Sequence, residues 1–204
     1  MDKWNKIPDE ETLEKTAQAL KANGIEALVV ENGQEAKNKV LELLPKGAEV
    51  MDMSSVTLQE TGISKEINES GKFNSVKNKL SSMNRETEGK EMQALGVAPE
   101  WAVGSVHAVT TDGKVVVASN TGSQLPAYAY GAAHIIWVAG AQKIVKDLDE
   151  AMKRIYEYVL PLESKRVQKA YGMSHSNVSK LLIFNKEINP DRIKIILVKK
   201  SLGF

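Results

Sequence analysis

Apolar residues in the first quarter of the chain switch twice between helical and strand-like spacing. A stripe at helical spacing predicts a first helix that begins after Asp9 and ends at Gly24, a residue type suited to the left-handed stop. Residues 25–30 predict a buried strand and residues 48–53 a short second strand, and a second helical stripe at residues 36–44 separates them. Helices that alternate with strands over short connections predict a parallel sheet covered by helices.

The middle of the chain is polar and then becomes rich in β-branched residues. Residues 72–93 are polar and charged and predict one or two exposed helices. Residues 101–110 and 114–118 predict two strands, and the pair Asp112-Gly113 between them favours a tight turn. We therefore expect an antiparallel hairpin here.

The last third of the chain returns to alternating helices and strands. Residues 134–139 predict a buried strand, and Asp147 followed by Glu150 predicts the capped start of a helix. Residues 181–184 and 193–198 predict the final two strands. Residues 1–204 are thus interpreted as one α/β domain with an open, mostly parallel sheet, flanking helices and an antiparallel hairpin.

Composition excludes several classes of protein. Lysine and arginine nearly balance the acidic residues, 27 against 26, and no basic block occurs, so no nucleic-acid partner is expected. The chain has no cysteine, which excludes a thiol nucleophile, a disulfide and a cysteine-ligated metal centre within it. No apolar run reaches the roughly 18 residues of a membrane span, and residues 1–14 lack the apolar core of a signal peptide. We expect a cytoplasmic protein with no membrane partner.

The first candidate binding segment follows the strand predicted at residues 48–53. Ser54, Ser55, Thr57 and Glu60 lie where the chain would enter a helix, so hydroxyl groups and free backbone N–H groups could bind an anion there. The same residues have a purely structural interpretation, since Thr57 and Glu60 have the spacing of a capping box. The two interpretations are compatible, because a cap can leave neighbouring donors free.

The second candidate segment follows the strand predicted at residues 114–118 and is rich in hydroxyl and amide groups. Its residues are Ser119, Asn120, Thr121, Gly122, Ser123 and Gln124. Such a loop can form a backbone nest for phosphate or carboxylate, or it can be a simple polar connection. Because ligands of open α/β sheets bind beyond the carboxyl ends of the strands, we expect both segments to form one pocket.

Two further residues are candidates for acid–base catalysis. His107 lies beside a polar loop and could exchange a proton near neutral pH, although a lone histidine is more often a packed strand residue. Asp112 is a second candidate, with turn formation as its alternative role. The chain's 3 histidines are far apart in sequence and no dinucleotide-binding or metal-ligand motif occurs, so neither a metal nor a cofactor is expected.

Four short motifs follow one another along the chain. They read SSVTLQETGI at residues 54–63, GSVHAVTTDG at 104–113, TGSQLPA at 121–127, and KIVKDL at 143–148 after a Tyr-Gly pair at 130–131. Their order and spacing resemble those of the LUD domain family, named for lactate utilisation proteins. The resemblance covers most of the chain and adds Gly104, the first residue of the second motif, to the candidate ligand-binding residues.

The resemblance implies a fold like that of ribose-5-phosphate isomerases and CoA transferases. It also implies a connection to oxidation of lactate to pyruvate, beside iron–sulfur or flavin oxidoreductase partner proteins. The chain departs from its relatives in three ways: residues 163–175 contain no thiol, His107 replaces a small polar residue, and Gln124 replaces an arginine.

Two functions are therefore expected from the sequence. The first is a non-redox accessory or small-anion-binding subunit in the oxidation of lactate or a related organic acid. The alternative is an independent isomerase- or cyclo-ligase-like enzyme that acts on a phosphorylated or carboxylated metabolite, with His107 or Asp112 as its acid–base group. Whether the chain is an enzyme at all stays open at this point.

Overall fold

A six-stranded, all-parallel sheet forms the centre of the computed structural model, which describes residues 2–204. Its strands, in spatial order, are β1 (Glu26–Val30), β10 (Ile193–Val198), β7 (His134–Gly140), β4 (Trp101–Gly104), β2 (Glu49–Asp52) and β3 (Asn74–Ser75). β10 and β7 are central, and nearly every residue in them is buried. Their largely apolar sequences are typical of parallel strands that are covered on both faces.

A second, four-stranded sheet packs against one face of the parallel sheet. Its strands, in order, are β8 (Ile144–Val145), β5 (Ala108–Thr110), β6 (Val115–Ser119) and β9 (Lys180–Phe184). β5 and β6 form the predicted antiparallel hairpin, and β9 is antiparallel to β6. Between the two sheets, Trp137 makes edge-to-face contacts with Tyr128 and Phe184.

Helices cover the remaining faces of both sheets. They are α1 (Glu10–Ala22), α2 (Gly33–Leu43), α3 (Val56–Glu60), α4 (Ile63–Glu69), α5 (Val76–Ser82), α6 (Arg85–Val97), α7 (Leu148–Arg154) and α8 (Leu160–Tyr171), with a π-helical turn at Ile155–Val159. α1 shares the inter-sheet core, whereas α2, α3 and α4 cover the opposite face of the parallel sheet. α7 covers the outer face of the second sheet.

Most of the predicted elements are confirmed, with some differences. Asp9 caps α1 by accepting a hydrogen bond from the Thr12 amide at 2.8 Å, and Asp147 caps α7 in the same way. The prediction of one β-stretch over residues 101–110 is wrong, because β4 and β5 belong to different sheets and the chain crosses between them at residues 105–107. The two-residue strand β3 was not predicted, since a polar Asn-Ser pair has no strand pattern.

Two glycines with positive φ provide a matched test of the turn chemistry. Gly113 (φ +81°) lies in the β5–β6 turn, and a Cβ there would be 2.5 Å from the backbone carbonyl carbon of Ala19. Gly47 (φ +76°) has open space around the corresponding position.

We expect both Gly47→Ala and Gly113→Ala to lower the free energy of unfolding, because a positive φ costs an alanine roughly 1–3 kcal/mol. Gly113→Ala should cost a further amount of about 1–3 kcal/mol, since the new methyl group overpacks the end of α1. Urea denaturation of the two variants measures the difference. Equal losses would show that the turn and α1 separate readily.

Candidate functional site

Lys143 is a buried amine at the carboxyl end of a central strand. It ends the short 3₁₀ turn Ala141–Lys143 that follows β7, and only 2% of its surface is exposed. Its Nζ donates to the Val106 carbonyl at 3.1 Å and lies 3.1 Å from Thr57 Oγ1 and 3.0 Å from Ser105 Oγ. Three oxygen atoms therefore surround the amine.

The groups around Lys143 come from the ends of three neighbouring strands. Thr57 lies in α3, directly beyond β2, whereas Ser105 follows β4 and Lys143 follows β7. β2, β4 and β7 are adjacent in the sheet, and all run in the same direction. The cluster therefore lies where open α/β sheets bind their ligands, beyond the carboxyl ends of the strands.

The segment that follows β10 packs against the cluster. The Thr57 hydroxyl donates to the Leu202 carbonyl at 3.3 Å, and the Gln142 amide donates to the same oxygen at 2.9 Å. The Gly203 amide donates to a Glu60 carboxylate oxygen at 2.7 Å. Gly203 has φ +58°, and a Cβ there would be 2.4 Å from Thr57 Oγ1, so only glycine allows this close approach.

The surroundings of Lys143 lower its pKa, so that its charge can change near neutral pH. Burial lowers the pKa of Lys143 to about 7, because the protein replaces the water that would solvate the ammonium. The nearby positive charge of Arg154 lowers this pKa further, while Glu60 acts in the opposite direction. Neither of the two side chains bonded to Lys143 is a carboxylate, so no ion pair among residues 2–204 fixes its positive charge.

His107 and Arg154 lie next to this cluster. The partly buried His107 accepts a hydrogen bond from the Ala118 amide at its Nδ1, at 3.1 Å, so the ring proton is on Nε2. Desolvation, followed by the charges of Lys143 and Arg154, lowers the pKa of His107 to about 3. At neutral pH the imidazole is therefore uncharged, with one nitrogen already engaged.

Arg154 is fully buried and only partly satisfied. Its Nη1 donates to the His107 carbonyl at 2.6 Å, and the guanidinium carbon lies 5.3 Å from the centre of the Tyr158 ring. Within residues 2–204, its Nε and Nη2 have no hydrogen-bond partner. Burial lowers the pKa of Arg154 to about 10, so it stays charged at neutral pH.

Of the first predicted segment, the structure brings only Thr57 into direct contact with Lys143. Ser54 is exposed, Ser55 is half-buried, and the Glu60 carboxylate binds the Gly203 amide. The capping-box interpretation is wrong, because Ser55 is the N-cap of α3 and makes no side-chain capping bond. The Thr57 hydroxyl points instead to Lys143 and Leu202.

The second predicted segment follows β6, which belongs to the other sheet, so the expectation that one sheet carries both segments is wrong. Ser119 Oγ accepts from the Gly122 amide at 2.8 Å and donates to Gln124, while Thr121 bonds Ser123. The Asn120 side chain accepts from Ser179. No hydrogen bond in the described chain joins this segment directly to residues 54–60. His107, two residues after Ser105, accepts a hydrogen bond from the amide of Ala118, the residue before this segment.

Two other predicted residues have structural contacts. Asp112 lies in the turn at the far end of β5 from His107, where its carboxylate binds Thr110 and Lys114. These contacts, with Lys114 the larger, lower the pKa of Asp112. The structure therefore does not bring His107 and Asp112 together.

The predicted residue Gly104 also has a structural role. A Cβ there would be 1.7 Å from the Tyr128 hydroxyl, so this glycine makes room for the tyrosine beside β4.

Sequence reasoning missed Lys143, Ser105, Gln142 and Arg154. A lysine is normally exposed, and no local pattern distinguishes one that turns inward after a strand. The one available signal was position, since Lys143 lies just beyond the strand predicted at residues 134–139 and both Ser105 and Lys143 fall within the motifs quoted above.

The comparison with known sequences decides the family. The profile of the LUD domain matches residues 13–198, which is nearly the whole chain. The chain belongs to the LUD domain family. Among curated protein sequences, none matches this LUD protein.

A solved structure is similar to this LUD protein in fold. The crystal structure of a DUF162 family protein from Deinococcus radiodurans has a TM-score of 0.60 and 11% sequence identity, and the match covers 95% of this chain and 99% of that one. At this identity the likeness concerns the fold alone.

No helix within residues 2–204 is long and apolar enough to cross a membrane. Over the same residues, no group of three or more His, Asp or Glu side chains is arranged to hold a metal ion.

The lowered pKa of Lys143 predicts a specific pH dependence of stability. A lysine in an unfolded chain has a pKa of about 10.4, whereas the pKa of Lys143 in the folded protein is about 7. Between these values the unfolded state binds a proton that the folded state does not. This residue therefore makes the free energy of unfolding rise with pH, by up to about 1.4 kcal/mol per pH unit.

We expect Lys143→Met to remove this slope between pH 7 and pH 10, whatever its effect on the absolute stability. Urea denaturation at several pH values measures the slope for the wild type and the variant. Lys46→Met, at an exposed position, is the matched control and should keep the wild-type slope. The same slope in wild type and Lys143→Met would contradict a neutral amine at this site.

Proposed function

We propose that this LUD-family protein binds the carboxylate of a small organic acid, in the metabolism of lactate or a related acid, at the cluster formed by Thr57, Ser105 and Lys143. The observation that carries the proposal is the buried amine of Lys143, which lies beyond the carboxyl ends of adjacent strands and is bonded to hydroxyl groups instead of a carboxylate. A ligand carboxylate would supply the negative charge that the cluster lacks.

The surrounding charges support the choice of an anion. Arg154 donates to the His107 carbonyl beside the cluster and has two nitrogen atoms that no residue of the described chain bonds. Its charge acts on both Lys143 and His107. The acid whose charge acts on Lys143, Glu60, is engaged by the Gly203 amide. An excess of positive charge in a poorly solvated region attracts anions more strongly than the same charge in water.

Ser105 is the group through which a ligand would enter. Its side chain is half-buried, whereas Thr57 and Lys143 are almost completely buried. A small carboxylate would therefore accept a hydrogen bond from the Ser105 hydroxyl first and would interact with the Lys143 ammonium behind it.

In this proposal the protein works without a redox centre of its own. It has no cysteine, so any iron–sulfur chemistry belongs to another chain. We infer a cytoplasmic subunit that presents or receives the organic acid while an iron–sulfur or flavin oxidoreductase partner moves the electrons. The alternative enzyme would use His107 or Asp112 as its acid–base group. We do not favour it, because Nδ1 of His107 accepts from the Ala118 amide and the Asp112 carboxylate binds Thr110 and Lys114.

The test is a binding series on the purified chain with lactate, pyruvate, glycolate, acetate and inorganic phosphate. A carboxylate at 100 times its dissociation constant should raise the free energy of unfolding by about 2.7 kcal/mol, which thermal denaturation detects. Lys143→Met should abolish the effect and Lys46→Met should preserve it. If none of these anions stabilises the wild type at pH 6, the proposed function is wrong.

The affinity should also depend on pH in a defined direction. An anion holds Lys143 in its charged form, so binding above the pKa of about 7 requires uptake of a proton. We therefore expect the dissociation constant to rise about tenfold per pH unit above pH 7 and to change little below it. Isothermal titration calorimetry between pH 6 and pH 9 measures this, and a pH-independent affinity would assign binding to another part of the protein.

A further inference from the structure

We propose that Ser105 is a nucleophile and Lys143 its general base, so that the site cleaves an activated acyl compound, an ester or thioester of a small carboxylic acid, by way of an acyl-serine. This inference rests on the proposed function, since the acyl group would occupy the place of the bound acid. It goes beyond that function because it assigns the chain a covalent step of its own.

The first argument is the distance between the two groups. Ser105 Oγ and Lys143 Nζ are 3.0 Å apart, within the range at which a base removes a proton from a nucleophile. A third group orients the base, as nucleophile–base pairs require: Thr57 Oγ1 lies 3.1 Å from the same Nζ, and Thr57 is 1% exposed.

The second argument is the count of hydrogen-bond donors and acceptors. A neutral amine has two N–H donors and one lone pair. The Val106 carbonyl can only accept, so it takes one N–H. The Thr57 hydroxyl donates its own proton to the Leu202 carbonyl, so it can accept the second N–H. The remaining lone pair faces the Ser105 hydroxyl, whose proton it can accept.

The charged form of Lys143 is satisfied equally well. An ammonium donates to Val106, Thr57 and Ser105, and the Ser105 hydroxyl proton can then turn to Thr57 Oγ1, 3.3 Å away. Both protonation states therefore keep all their hydrogen bonds. A general base must pass between two such states in every cycle, without a reorganisation of its surroundings.

The third argument is the difference in exposure between the two groups. Ser105 is partly buried, whereas Lys143 is 2% exposed. In this proposal the substrate meets the Ser105 hydroxyl without displacing the amine. Burial and the charge of Arg154 lower the pKa of Lys143 to about 7, where a general base is most effective at neutral pH.

The reaction balances without any further reagent except water. Ser105 Oγ forms a bond to the acyl carbon while its proton passes to Lys143 Nζ. The bond from the acyl carbon to the thiol or alcohol then breaks, and that leaving group takes the proton from Lys143. Water then attacks the acyl carbon of the acyl-serine while Lys143 takes its proton. The bond between the acyl carbon and Ser105 Oγ breaks, the carboxylic acid is released, and Lys143 returns the proton to Ser105 Oγ. The net reaction consumes one water and yields an acid and a thiol or alcohol.

The first experiment uses p-nitrophenyl acetate and a fluorophosphonate with the full chain. We expect a single fluorophosphonate adduct, located on Ser105 by peptide mass spectrometry, and ester cleavage that increases with pH to a plateau above pH 7. Lys143→Met should lower both rates at least about 100-fold, since general bases contribute a factor of that size or more. Ser81→Ala, at an exposed serine of α5, should behave like the wild type.

The pH profile tests whether the charges around Lys143 act as described. The charged or titratable groups that act on Lys143 are Arg154 and Glu60, with His107 beside them. Arg154→Met removes a positive charge and should move the midpoint of the labelling profile to higher pH, whereas a merely structural loss would lower the rate without moving the midpoint. Arg154 is thus a positioning residue in this proposal.

A pair of cysteine variants makes the test independent of the choice of substrate. Because the chain has no cysteine, Ser105→Cys and Ser81→Cys each create a single thiol. A base at 3.0 Å should make the Ser105→Cys thiol react with iodoacetamide at least about tenfold faster than the control thiol at pH 7. Equal alkylation rates, or a fluorophosphonate adduct on any other residue, would overturn the proposal.

The outcomes also separate this inference from the proposed function. Carboxylate binding in calorimetry together with an inert Ser105 would leave the binding function standing and remove the covalent step. Labelling of Ser105 in a protein that binds none of the carboxylates would support the covalent step and remove the binding function.

Discussion

The rest of the site depends on how a lysine side chain is buried without an acid. A buried amine must keep hydrogen bonds to all of its donors, and Lys143 does so with the Thr57 and Ser105 hydroxyls and the Val106 carbonyl. Since these groups follow three different strands, the requirement fixes α3, the connection after β4 and the turn after β7 relative to one another. The chain after β10 joins the same network through Leu202.

The crossing between the two sheets explains why two cations lie so close together. Residues 105–107 leave the parallel sheet before β5 begins, so carbonyl groups in this segment need partners outside a regular ladder. Lys143 donates to the Val106 carbonyl and Arg154 donates to the His107 carbonyl. Two consecutive carbonyls therefore bring two basic groups to one short segment, where their charges add to the desolvation that lowers the pKa values of Lys143 and His107.

The sequence was sufficient for most of the fold because the fold depends on periodic patterns. The apolar runs that became β7 and β10, and the capping residues Asp9 and Asp147, each act locally and are visible in a single sequence. The site was harder to predict because its contacts are long-range. Thr57 and Glu60 have the spacing of a capping box, yet their side chains bind residues 202 and 203, which no local pattern reveals.

The hydroxyl partners of Lys143 allow the amine to be either charged or neutral. A carboxylate at the same distance would stabilise the ammonium and hold the pKa of the lysine high, as in ordinary buried ion pairs. Hydroxyl groups satisfy the hydrogen bonds of either protonation state and leave the charge to be decided by solvation and by whatever enters the site. Glu60, whose charge favours the ammonium, is bound by the Gly203 amide and is not a hydrogen-bond partner of the amine. An arriving anion would therefore charge Lys143, and a neutral acyl group would leave it free to accept the proton of Ser105.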